Sequence, residues 1–142
     1  MTKPDLTPAN QNPWYVLMTL YGEQEGKYVD QELAEKNRKV WNAWSCQGLT
    51  DEDRAQVCAS SRVGIAETKA WGQMDANVRE RHRIEMKNRN DEAFSYPGFP
   101  EYTELLGLSE IVFSNTIVLE KTIFTQAAYF GSATFTQAAY FG

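Results

Sequence analysis

The sequence predicts an α+β chain, a small helical domain followed by a stack of short repeats. Three observations carry that prediction. Apolar residues recur at helical spacing in several stretches before residue 95. The segment YPGFPEY at 96–102 then breaks the pattern, with Pro97 and Pro100 bracketing Gly98. Finally, FTQAAYFG at 124–131 returns unchanged at 135–142, joined by Ser132, Ala133 and Thr134, so the unit is eleven residues long. A short unit with an aromatic on each rung buries its ring only by stacking on its neighbour, which predicts a solenoid.

Residues 1–12 are polar and proline-containing and are expected to be a disordered arm. A helical domain is expected over 13–95. Asn12 followed by Pro13 is a helix start, and Gly22 is a stop. Between them Trp14, Leu17, Met18 and Tyr21 share one helical face, while Val16 and Leu20 crowd its flank, so a buried strand is the alternative. Asp30 caps a second helix from Gln31 to about Gln47, with Gly48 beyond it. Its stripe is Leu33, Val40, Trp41 and Trp44, and Glu32 with Lys36 and Glu35 with Lys39 are i,i+4 pairs. Thr50 caps a third helix, with Asp51, Glu52 and Asp53 at the positive end of its dipole. A fourth helix is expected from about Gly64 to Arg89, on a stripe of Trp71, Met74, Val78, His82 and Met86. Trp41, Trp44 and Trp71 are expected to share one core.

After the linker at 96–102, residues 103–110 are expected to form a turn or short helix that covers the repeats. In the repeats, Leu108, Phe113, Leu119, Phe124, Phe130, Phe135 and Phe141 follow alternating steps of 5 and 6 residues. Neither the helical period nor the strand period produces that spacing. Phe113, Leu119, Phe124, Phe130 and Phe135 are therefore expected to point into one common interior.

The stretch AYFGSATF resembles the pentapeptide-repeat family, whose pattern is a small residue, any residue, then Leu or Phe. Ala128-Tyr129-Phe130, Ala133-Thr134-Phe135 and Ala139-Tyr140-Phe141 match it. The resemblance implies a right-handed quadrilateral β-helix over 103–142, with Phe130, Phe135 and Phe141 at the large inward position and Ala128, Ala133 and Ala139 at the small one. The additional Ala127 and Ala138 depart from the pattern and lengthen every second step. The repeat stops at Gly142 without a polar cap, so the chain is expected to be an incomplete piece of a longer repeat protein; a short chain that caps itself by dimerising is the alternative. Self-association through 122–142 is the corresponding expectation.

Composition limits the functions to consider. The chain has 142 residues, a net charge of −5 and 42% hydrophobic residues; its first residues lack a basic stretch followed by an apolar core, so no secretory leader is expected, and no long apolar run occurs. A cytoplasmic location without membrane contact is expected. Cys46 and Cys58 lie in a C-x11-C spacing that is no metal framework, and free buried thiols are expected. His82 is the single histidine and continues an apolar stripe, so it reads as a half-buried packing residue. Arg79, Arg83 and Lys87 form a candidate basic stripe at i, i+4 and i+8, for phosphate or an acidic partner, diluted by Glu80, Glu85, Asp91 and Glu92. No phosphate loop, dinucleotide loop, nucleophile elbow or zinc-protease motif occurs. Catalytic, cofactor and metal residues are expected to be none.

The expected function is a non-catalytic protein-binding or scaffold module. The alternative is an enzyme or nucleic-acid activity carried by the helices. Some pentapeptide-repeat proteins mimic DNA with rows of acidic residues and bind type II topoisomerases. Residues 122–142 carry no charged side chain, so that implication does not transfer.

Overall fold

The computed structural model describes residues 7–25 and 28–100 and, beyond them, six short strands between residues 105 and 140. Five α-helices carry the core: α1 (Pro13–Met18), α2 (Gln31–Ser45), α3 (Asp51–Ser61), α4 (Ile65–Thr68) and α5 (Trp71–Arg89).

Local sequence sets each helix start. The Asn12 side chain accepts from the Trp14 and Tyr15 amides at 3.0 and 3.1 Å, and Pro13 occupies the first helical position. Asp30 accepts from Leu33 at 3.1 Å, and the Thr50 hydroxyl accepts from Asp53 at 3.1 Å. The C-terminal end of α2 is closed by a residue from the next helix. Arg54 donates to the carbonyl of Cys46, the residue that caps α2, at 2.9 Å and to the carbonyl of Leu49 in the following loop at 3.0 Å. α3 ends where Arg62 turns left-handed at φ 58° and its helix closes with Val63 donating to Cys58.

Packing corrects the sequence reading in several places. α1 is a helix, not a strand, but it is only six residues long and has no solvent face to speak of. Tyr15, Val16, Leu17 and Leu20 are buried, while Tyr21, placed by spacing on one face with Trp14, Leu17 and Met18, is 42% exposed. The expected fourth helix is two. Thr68 is fully buried, and its hydroxyl donates back to the Ile65 carbonyl at 2.7 Å, a local bond that competes with helix continuation. The chain then restarts at Trp71, which turns its ring into the core. The three tryptophans do share that core, with Trp41 and Trp44 at 4.9 Å between ring centroids.

The described parts of two segments expected to lie outside the helical domain, residues 7–12 and 96–100, contact it. Thr7–Pro8 is a strand, β1, and Ala9–Gln11 is a turn of 3-10 helix whose Ala9 is buried in the core. Residues 96–100, read as a linker, lie on α5. Phe99 stacks on Trp71 at 5.9 Å and meets His82 edge-on at 5.1 Å. Gly98 has φ 97°, which lets the backbone bend there so that Phe99 reaches the helix.

The fold class needs the largest correction. The described protein is predominantly helical, and no quadrilateral β-helix or solenoid is found among the described residues. The β-structure consists of strands two or three residues long: β2 (Leu105–Gly107), β3 (Ile111–Phe113), β4 (Ile117–Val118), β5 (Ala127–Tyr129), β6 (Thr134–Phe135) and β7 (Ala139–Tyr140). They pair in parallel as β2 with β5, β3 with β6 and β4 with β7, and β1 pairs with the other edge of β3. Within the first three pairs the partners lie 22 residues apart, twice the sequence repeat. A β-helix needs continuous coils with stacked inward side chains, and pairs this short do not describe one. Leu105–Gly107 is a strand rather than the expected turn or helix. Phe113, Ala128, Phe135 and Ala139 lie in strands; Leu119, Phe124, Phe130, Ala133 and Phe141 lie outside the described residues.

Candidate functional site

His82 sits on the buried stripe of α5 and is fully inaccessible, where spacing suggested half-burial. Its Nε2 lies 2.9 Å from the Pro13 carbonyl oxygen and its Nδ1 2.7 Å from the Tyr96 hydroxyl. A carbonyl can only accept, so the ring carries its proton on Nε2, and Nδ1 accepts from Tyr96. Burial pushes the His82 pKa below its ordinary value, the Pro13 bond pulls it back, and the Arg89 charge lowers it further. A neutral imidazole with both nitrogens occupied by α1 and the 96–100 segment is a clamp between three parts of the fold.

The candidate basic stripe on α5 is largely paired. Arg79 forms an ion pair with Asp75, and its guanidinium lies 4.7 Å from the Phe99 ring centroid. Arg83 pairs with Glu80 and holds that carboxyl below its usual range. Lys87 is exposed. The two neighbouring arginines are absorbed as well. Arg81 donates to the Leu20 carbonyl at 3.2 Å and lies 4.5 Å from the Tyr21 ring centroid. Arg89 donates to Glu85, Asn10 and Thr19. This last set continues through Asn10 to Glu23, which accepts from the Tyr15 hydroxyl at 2.6 Å. Burial first, then the Glu23 bond and charge, raise the Tyr15 pKa.

A second polar cluster joins α2 to α4. Glu67 accepts from Asn42 at 2.6 Å and from Arg38 at 3.3 Å. Cys46 and Cys58 are free and buried, and burial pushes the Cys46 thiol up to about 11, the opposite of what a reactive thiolate requires. The acidic triplet Asp51, Glu52 and Asp53 is solvent-exposed at the start of α3, with Asp51 3.7 Å from Arg54 and 3.8 Å from Lys69. Among the described residues no group of three or more His, Cys, Asp or Glu side chains could hold a metal ion, and no helix is long and apolar enough to cross a membrane.

One surface feature escaped the sequence reading. Tyr21, Lys36, Lys39, Val40 and Met74 line an open groove of about 340 Å³. Tyr21 follows α1, the next three residues belong to or flank one turn of α2, and Met74 comes from α5. The Asn37 side chain accepts from the Tyr21 amide at 2.8 Å and donates to the Gly22 carbonyl at 3.0 Å, which fixes Tyr21 beside α2. The sequence places Tyr21 on one helical face with Trp14, Leu17 and Met18, and nothing in that spacing marks it as the exposed wall of a groove. Comparison of the chain with protein-family models, curated proteins and solved structures gives no match, and no family is assigned.

Proposed function

We propose that the chain is a non-catalytic protein-binding or scaffold module. The observation that carries this reading is His82, the chain's single histidine, held neutral between the Pro13 carbonyl and the Tyr96 hydroxyl. The residue best suited to proton transfer near neutral pH is occupied in joining α1, α5 and the 96–100 segment. The pairing of Arg79 and Arg83 with Asp75 and Glu80 also weakens the alternative of a phosphate-binding helix, because each guanidinium already faces a carboxylate. Two free buried thiols suit a reducing compartment, and we place the module in the cytoplasm. The partner is a protein, either a different chain or a second copy of this one.

The test combines binding with turnover. The purified chain should capture a protein from a cell extract, and the complex should re-form from the two purified components in fixed stoichiometry. The His82→Gln variant, if folded, should still form it. Time-dependent consumption of any component of a metabolite or oligonucleotide mixture, abolished in His82→Gln, would overturn the reading in favour of an enzyme.

A further inference from the structure

The groove beside α2 has a floor and a rim of different chemistry. Val40 is buried and Met74 half-buried, so the bottom is apolar. Lys36 and Lys39 are exposed on one wall. Tyr21 forms the other wall, and the Arg81 guanidinium lies 4.5 Å from its ring centroid. Two exposed lysines therefore line an apolar depression on a chain whose net charge is −5, and a third cation, Arg81, lies against the Tyr21 ring outside that lining. Two of them are partly compensated. Lys39 lies 3.1 Å from Glu35, and Arg81 lies 3.7 Å from Glu85. Lys39 retains donors beyond that one contact, since an ammonium carries three, while Arg81 is engaged a second time by the Leu20 carbonyl. Lys36 has no ion pair among the described residues.

We propose that this groove docks an acidic segment of a partner protein that presents one bulky apolar side chain between carboxylates. The proposal rests on the protein-binding reading above and specifies its surface. A depression of about 340 Å³ has room for one large side chain rather than for a folded face. The apolar anchor would settle against Val40, Met74 and the Tyr21 ring. Flanking carboxylates would accept from Lys36 and Lys39. Charge complementarity at the rim selects partners and speeds encounter, and burial of the anchor supplies residence time. Lysines suit this role because their long apolar stems extend the groove wall while the ammonium groups remain in water.

The experiment is a titration of the full chain, isotopically labelled for amide NMR, with three capped pentapeptides: Glu-Glu-Phe-Glu-Glu, Lys-Lys-Phe-Lys-Lys and Glu-Glu-Gly-Glu-Glu. Glu-Glu-Phe-Glu-Glu should bind saturably and shift the amides of Tyr21, Lys36, Lys39, Val40 and Met74. The other two should bind about tenfold more weakly or not at all, the scale expected for two exposed charge pairs or one buried ring. Lys36→Glu with Lys39→Glu should reverse the preference toward the lysine peptide. Equal binding of the two Phe peptides would overturn the proposal, as would shifts confined to other surfaces or absence of binding by all three. A partner recovered in the capture experiment and cross-linked elsewhere than the groove would leave the protein-binding reading standing while refuting this docking site. Loss of both would refute the two together.

Discussion

At the scale of single residues, burial decides chemistry. His82 is neutral because the fold removes it from water and gives each nitrogen a partner suited to the uncharged ring. Its folded pKa lies below the ordinary 6.5, so the unfolded chain takes up the proton first as pH falls. The stability associated with the neutral ring is fully present above that value and is lost as pH drops through it toward the folded pKa. Urea midpoints should therefore fall between about pH 7.5 and pH 5.5, and His82→Gln should flatten that part of the profile while lowering stability throughout. An unchanged slope in the variant would mean that other groups carry the dependence. Trp44 supplies a second case. It is 1% exposed and packs against Trp41, so Trp44→Ala should cost ~3–5 kcal/mol in chemical denaturation. A loss below ~1 kcal/mol would show that the site collapses around the smaller side chain.

At the scale of elements, helix starts were legible and helix ends were not. Asn12, Asp30 and Thr50 each cap the helix their position announced, since a cap is a bond between a side chain and an amide two or three residues on. Replacing Thr50 by Ala should cost about 1 kcal/mol. Thr50→Asp should restore most of it, because aspartate accepts the same amide proton and suits the dipole. The break between α4 and α5 left no such mark. It follows from the burial of Thr68 against Cys58 and of Trp71 in the main core, contacts between residues far apart in sequence. The stripe from Trp71 to Met86 was nevertheless legible, because a helix that buries one face must repeat its apolar residues on it.

At the scale of the whole molecule, the N-terminal segment ties distant parts of the chain together. β1 pairs with β3, so that Thr7 stands opposite Ile111, and the adjoining Asn10 accepts from Arg89 and donates to Glu23. Removing residues 1–8 should therefore speed amide hydrogen exchange in Ile111–Phe113 while the centre of α2 keeps its protection. Unchanged exchange in β3 would show that β1 contributes nothing to holding that strand.

By itself the sequence determined where α1, α2 and α3 begin, which tryptophans form the core and that His82 packs inside. These depend on spacing and capping along a few consecutive residues. The eleven-residue repeat was equally plain, and the parallel pairs are offset by 22 residues, twice its length. It did not establish a β-helix, because a repeat states which residues recur and not how far strands stay paired. Tertiary structure alone decided the rest: a mainly helical fold, the packing of residues 7–12 and 96–100 against the helices, and the exposure of Tyr21. The groove belongs with these. Its walls come from α1's exit, α2 and α5, and only the packing of those elements brings an apolar floor beside Tyr21, Lys36 and Lys39.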